Sequence, residues 1–344
     1  MEQRRFGATG VQVSTLSLGT MNFGSWGNAD QHDVTRIVHR ALDAGITVID
    51  TADIYSGGEA EKMIGQAVSG TRRDGVFLAT KFHGPMGDGF NRQGNSRRWV
   101  MQAVDQSLRR LGTDWIDLYQ VHRPDPATDF DETLGAMTDL VRRGKIRYIG
   151  TSTFPPSMIV RGQWIAERRH RERVVCEQPP YSILNRSVER EVLPVARSAD
   201  MAVLTWAPLD GGWLSGRPLG ANGSLKSHRV ARRPERYDPT LPRNAAKVAA
   251  VKHLQALSHA SGISLVRLAV GFVLEHPAVT SAVIGPRSLQ QLEEYLSTAP
   301  LPADVLDRID EIVPPATIVD PTQDPYHSPT AVERAARRRS ACST

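Results

Sequence analysis

The sequence predicts a single (β/α)8 barrel, with an N-terminal β-hairpin ahead of it and a long loop after the seventh barrel strand. Short β-branched runs alternate with longer segments of helical period along most of the chain. Eight strand-then-helix units follow one another with no break in composition, which favours one parallel barrel over two domains. The rival is a doubly wound dinucleotide fold. It would want a G-x-G-x-x-G run after an early strand, and none occurs.

Taken in order, "RRFGATGVQVS" reads as the short hairpin ahead of the barrel. "VSTLSLG" is the first barrel strand and "DQHDVTRIVHRALDAG" its helix; "TVIDTA" is followed by "EAEKMIGQAVSG". "VFLATKF" leads to "RRWVMQAVDQSLRRLG", and "IDLYQVH" to "DETLGAMTDLVRRG". "YIGTS" leads to "PPSMIVRGQWIAERRH", and "VVCEQ" to "VEREVLPVARSAD". After "AVLTWAP" comes the loop "GGWLSGRPLGANGSLKSHRVARRPERYDPTLPRN", which reads as a lid or cofactor clamp. Two helical segments, "AAKVAAVKHLQALSHASG" and "SLVRLAVGFVLEHP", then precede the last strand "TSAVIG" and its helix "SLQQLEEYLS". Gly45, Gly112 and Gly144 stand where helices should end. The barrel is expected over residues 1–313. Residues 314–344, rich in Pro, Asp, Ser and Arg, are expected to be a loosely ordered extension.

Composition narrows the function classes. The chain of 344 residues is 40% hydrophobic and 23% charged, which suits one large barrel. No apolar run approaches the roughly 20 residues of a membrane span. The start "MEQRRFGATG" lacks an apolar h-region, so no secretory signal and no membrane partner are expected. Cys176 and Cys342 offer no disulfide framework, which fits a reducing cytoplasm. The net charge is +5, but the arginines of "LRRLG", "LVRRGK" and "ERRHRER" sit at helix ends, where the dipole favours cations. Aromatic residues are not interleaved with them, so no nucleic-acid partner is expected.

Chemistry in a barrel sits at the C-terminal ends of the strands. Those ends present Asp50 in "TVIDTA", Lys81 in "LATKF" and His122 in "LYQVHRPD", with Tyr55 in the loop after Asp50. Any one of these alone reads as a rim residue or a loop cap. Together, four titratable side chains from three consecutive strands mark the active face.

The motifs "DTADIYSGGEAEKMIG", "ATKF", "LYQVHRPD", "IGTST", "EQPPYSILNR", "WAPLDGGWLSG" and "VIGPRSLQQLEE" resemble, in order and in register, those of the aldo-keto reductases. The likeness runs from about Val13 to Ile312. It implies a (β/α)8 barrel that reduces aldehydes and ketones with NAD(P)H. It also implies a catalytic tetrad, which falls on Asp50, Tyr55, Lys81 and His122. Physical chemistry makes sense of that set. A free phenol has a pKa near 10, too high for efficient proton donation at neutral pH. A lysine cation about 4 Å away contributes on the order of 4 kcal/mol, which would lower the phenol by up to about three units. Asp50 would keep Lys81 charged and aimed, and His122 would orient the carbonyl oxygen.

By the same resemblance, Ser152 and Gln178 would hold the nicotinamide carboxamide and Trp206 would stack on its ring. Thr20, Met21, Asp50 and Thr153 would also line the cofactor. Pro208, Leu209 and Gly211 fall in "APLDGGWLSGR", whose small residues let backbone approach a pyrophosphate. Arg217, Arg229 and Arg287 are candidate phosphate contacts, and Gly285, Gln291 and Glu294 match the adenosine-binding stretch. An arginine there suits a 2′-phosphate, which points to NADPH. Thr153 and Tyr295 stand where many members carry asparagine, a departure that touches the cofactor and not the tetrad. Met21, Phe23, Trp26, Tyr55, Phe82, His122 and Trp213 would wall the pocket of a small carbonyl substrate. A homo-oligomer is compatible with this reading.

Two other functions compete. The potassium-channel β subunits of the same family are regulatory partners, and a cofactor-binding sensor with weak reductase activity is the alternative; they lack the histidine at the position of His122, which this chain keeps. A Schiff-base aldolase would need Lys81 uncharged, against its pairing with Asp50.

Overall fold

The computed structural model describes residues 1–220, 223–225, 229–230 and 233–326. An antiparallel hairpin of β1 (Gln3–Arg5) and β2 (Gln12–Ser14) precedes the barrel. The barrel strands are β3 (Leu16–Gly19), β4 (Val48–Asp50), β5 (Phe77–Phe82), β6 (Ile116–Val121), β7 (Ile146–Ser152), β8 (Val174–Gln178), β9 (Ala202–Thr205) and β10 (Ser281–Ile284). They are parallel, run in chain order and close through β10 against β3. This is the (β/α)8 barrel expected from the sequence.

Around it lie α1 (Gln31–Asp43), α2 (Glu59–Ala67), α3 (Arg97–Leu111), α4 (Phe130–Arg142), α5 (Pro156–Arg169), α6 (Val192–Ser198), α7 (Pro242–Ser261), α8 (Leu265–Glu275), α9 (Leu289–Leu296) and α10 (Ala303–Ile312). Side chains of Asp30, Ser96, Asp129, Ser264 and Ser288 cap the first turns of α1, α3, α4, α8 and α9. Helix α6 is shorter than the helix expected over "VEREVLPVARSAD", because residues 187–189 form a separate 3-10 turn. Helix α10 has no counterpart in the sequence reading; its buried Val305 and Ile309 are spaced at one helical turn. No single helix among the described residues is long and apolar enough to cross a membrane.

The two-residue period of the strands sets what faces the barrel axis. Deep in the barrel the inward set is apolar: Val48, Ala79, Leu118, Cys176, Leu204 and Val283, with Phe6 of the hairpin packed beneath them on Phe77 at 4.8 Å between ring centroids. One step further toward the C-terminal ends the same faces present Asp50, Lys81, Gln120, Ser152 and Gln178. Register places these side by side, with Lys81 opposite Gln120 and Ser152 opposite Gln178. The barrel is therefore a hydrophobic plug with a polar floor on top.

Residues 314–326 do not follow the expectation of loose order. Val319 N donates to Leu184 O, Arg186 N donates to Thr317 O, and Asp320 is fully buried. Residues 327–344, with Cys342, lie outside the described residues.

Candidate active site

Lys81 is the centre of the polar floor and is fully buried. Its Nζ donates to Asp50 Oδ2 at 2.6 Å, to the Thr51 carbonyl at 2.9 Å and to Tyr55 Oη at 3.5 Å. The other oxygen of Asp50 accepts from Gln178 Nε2 at 2.8 Å and Gln120 Nε2 at 3.2 Å. Every oxygen of the carboxylate is thus engaged, as burial of an ion demands. The ring of His122 meets that of Tyr55 edge-on, with centroids 5.9 Å apart. The four residues singled out in the sequence converge on one point.

Tyr55 is presented by an unusual piece of chain. Ser56, Gly57 and Gly58 all have positive φ, at 50°, 64° and 94°. Two glycines take this conformation without a Cβ penalty; Ser56 does not. Its hydroxyl compensates by donating to Phe23 O at 2.7 Å and accepting from Trp26 N at 3.0 Å. The turn lets the phenol point back over Lys81 before α2 begins.

The electrostatics correct one expectation. Burial raises the Tyr55 phenol above its usual value; Lys81 and, more weakly, Arg123 pull it down, and Asp50 pushes it up. Desolvation wins, so the phenol remains protonated at neutral pH. Burial also opposes the charge on Lys81, but Asp50 and Tyr55 outweigh it, and the net shift is upward. Lys81 is a stable cation, which removes the basis for Schiff-base chemistry. His122 is held well below the usual imidazole range by burial, then by Lys81 and Arg123, so its ring is neutral.

Of the residues assigned to the cofactor, Thr20 directly follows β3, and Ser152 and Gln178 end β7 and β8. Thr20 lies beside Asp50, whose carbonyl accepts from its N–H at 3.0 Å. Ser152 Oγ donates to Gln178 O at 2.9 Å. Pro208, Leu209 and Gly211 follow Trp206 in a turn with positive φ at Ala207, Asp210, Gly211 and Gly212. Tyr237, from the long loop, donates to Gly211 O at 2.9 Å and stacks on Trp213. Arg287 feels the charges of Arg217 and Arg229, which lower its pKa after burial does, so three cations share one region. Arg287 borders a cleft of about 470 Å³ whose lining also includes Asn28, Asp30, Ser288 and Gln291. Gln291 Oε1 accepts from Arg287 N at 2.9 Å, and Glu294 is exposed. Tyr295 is buried in the core. The hydroxyls of Thr20 and Ser215 and the indole N–H of Trp206 are buried with no hydrogen-bond partner among the described residues. Such orphaned groups fit a dinucleotide laid between Thr20, Trp206 and the arginines.

The expected aromatic rim is thinner than predicted. Phe82 follows the inward Lys81, so period two turns it outward, where it stacks on Tyr119 at 4.9 Å. Phe23 is fully buried and Trp213 is nearly so. All three are packed inside the protein and not offered at the rim. Met21, Trp26, Tyr55 and His122 remain partly exposed at the mouth, with Trp26 and Tyr55 rings 6.1 Å apart. The sequence reading missed four residues. Gln120 and Glu177 lie on the strands, Arg123 follows His122, and Asn22 donates to Gly285 O at 2.7 Å while accepting from Arg229 at 3.3 Å. Only Gln120 left a signal, at inward parity two residues before His122.

A model of the aldo/keto reductase family matches residues 15–314. The chain belongs to the aldo/keto reductase family. Its similarity extends to an uncharacterized oxidoreductase, YrpG, of Bacillus subtilis, 37% identical over 91% of this chain and 96% of that protein. The aldo-keto reductase YhdN of the same organism is 34% identical over 85% of this chain and 87% of its own length. A probable voltage-gated potassium channel subunit beta from Oryza sativa is 30% identical over 91% of this chain and 97% of its own. This aldo/keto reductase is thus an NAD(P)H-dependent oxidoreductase, and its family acts on small-molecule carbonyl compounds.

Proposed function

We propose that the protein reduces an aldehyde or ketone to the alcohol with NADPH, using Tyr55 as the proton donor. The observation that carries this reading is Lys81 Nζ, held between Asp50 Oδ2 at 2.6 Å and Tyr55 Oη at 3.5 Å. When bound, the reduced nicotinamide supplies a hydride to the carbonyl carbon. His122, neutral and at the mouth, donates to the carbonyl oxygen and fixes its position. As charge develops on that oxygen, Tyr55 Oη gives up its proton to it, and the Lys81 ammonium stabilises the phenolate left behind. Asp50 keeps the ammonium charged and aimed, braced by Gln178 and Gln120. Burial keeps the phenol protonated at neutral pH, and the pull of the Lys81 cation offsets part of the cost of releasing that proton.

Thr20, Ser152, Thr153, Gln178 and Trp206 hold the nicotinamide end, and Arg217, Arg229 and Arg287 the phosphates. Three clustered arginines support a 2′-phosphate and hence NADPH. The channel-subunit relatives keep a regulatory reading in view; His122 favours turnover. A panel of aldehydes and ketones, followed by NADPH consumption and alcohol formation, tests the proposal. Folded protein that binds NADPH and consumes none with any carbonyl would end it in favour of the regulatory reading.

A further inference from the structure

Arg123, which follows His122 at the end of β6, brings a second cation to the site. Its Nη1 donates to Thr153 Oγ1 at 2.7 Å, to His122 O at 2.8 Å and to Ser152 Oγ at 3.4 Å. Its own carbonyl accepts from the buried Asn95 at 3.0 Å. The guanidinium carbon lies 5.7 Å from the ring centroid of Trp206. Backbone and side chain are therefore fixed from both sides.

Arg123 carries no counter-charge of its own among the described residues. Three arginines that serve the fold do: Arg73 pairs with Asp117 at 2.8 Å, Arg110 with Glu61 at 2.6 Å, and Arg186 with Glu189 at 2.8 Å. Arg123 forms no ion pair among the described residues, and its Nε and Nη2 make no hydrogen bond to them. Glu177, whose charge reaches it, spends its oxygens on Thr151 Oγ1 and Phe154 N. One nitrogen anchors the guanidinium, and the edge that pairs with planar anions stays open. A half-buried guanidinium with this edge unpaired is suited to a planar anionic ligand arriving at the mouth.

We propose that Arg123 determines substrate specificity by receiving a carboxylate on the carbonyl substrate, so that this reductase prefers aldehyde or keto acids. The assignment rests on the reductase reading above. The carboxylate accepts from Nε and Nη2 while the carbonyl oxygen meets His122 and Tyr55. No bond beyond the reduction itself changes.

The test pairs acids with their methyl esters, for example glyoxylate, succinic semialdehyde and 4-carboxybenzaldehyde, in NADPH-dependent reduction. Wild type should prefer at least one acid over its ester by about ten- to hundredfold in kcat/KM, mostly through KM. Arg123→Gln should bring that ratio to within about threefold of unity, and Arg123→Lys should restore part of it. Binding of the product acid 4-(hydroxymethyl)benzoate to the NADP+ complex, read by tryptophan fluorescence, should weaken by the same factor in Arg123→Gln. Equal treatment of acid and ester by wild type would overturn the assignment. So would an equal loss on both with a weaker NADPH Kd, which would put Arg123 on the cofactor. Specific binding of the acid, lost in the variant, with no reduction of any carbonyl would sink the reductase reading and leave the anion site standing.

Discussion

The ammonium of Lys81 and the carboxylate of Asp50 lie 2.6 Å apart at the top of the barrel core, and both side chains are almost wholly withdrawn from water. A pair this buried stabilises only while complete. Lys81→Met should cost about 3–5 kcal/mol, because Asp50 is left as an uncompensated charge. Carbonyl reduction should fall by about a hundredfold or more. The alkaline limb of kcat/KM should move to higher pH, since Tyr55 loses the cation that pulls its pKa down. Chemical denaturation and a pH series on the folded variant check all three. An unmoved alkaline limb would show that Lys81 does not tune the phenol.

Tyr55→Phe removes one oxygen and keeps the ring that meets His122 and Trp26. The expected result is a loss of about 10²- to 10⁴-fold in kcat with NADPH Kd within about threefold of wild type. Near-normal turnover by the folded variant would assign the proton to another donor.

Arg287 shares its region with Arg217 and Arg229, so one substitution tests the cofactor preference without emptying the site of charge. Arg287→Ala should raise the NADPH Kd about ten- to hundredfold and leave that of NADH within about twofold. Fluorescence titration of both cofactors decides. Equal weakening, or none, would remove the proposed cause of the preference.

Glu177 gives a pH-dependent signature of the fold itself. Burial raises its carboxyl from 4.5 to about 7, against the pull of Thr151 and Phe154. A raised carboxyl binds its proton more tightly in the folded chain. Its stabilisation is therefore complete below the unfolded value and fades as pH rises from about 4.5 through about 7. Wild type should lose on the order of 2–3 kcal/mol more than Glu177→Gln across that window. Urea denaturation at several pH values measures it, and parallel stability curves for the two proteins would contradict it.

The barrel could be read from the sequence because its signal is local and repeated. Each strand is a short β-branched run, each helix has its own period, and the two-residue alternation fixes which side of "LATKF" faces inward. The same alternation, applied to Phe82, would have removed it from the predicted rim. Helix α10 escaped because only a short apolar pattern marks it, after the eight expected units were complete.

By itself the sequence determined the (β/α)8 order and put Asp50, Lys81 and His122 at the C-terminal ends of their strands, with Tyr55 in the loop after Asp50. Strand periodicity needs no long-range information. Tertiary structure alone decided the balance of charge. Whether the Tyr55 phenol rises or falls depends on how much water its neighbours exclude, and burial overcame the nearby Lys81 cation. It also decided that Gln178, 128 positions from Asp50, braces that carboxylate, and that Arg123 reaches the site with one edge open. These are sums over residues brought together by closure of the barrel, and no local pattern along the chain encodes such a sum.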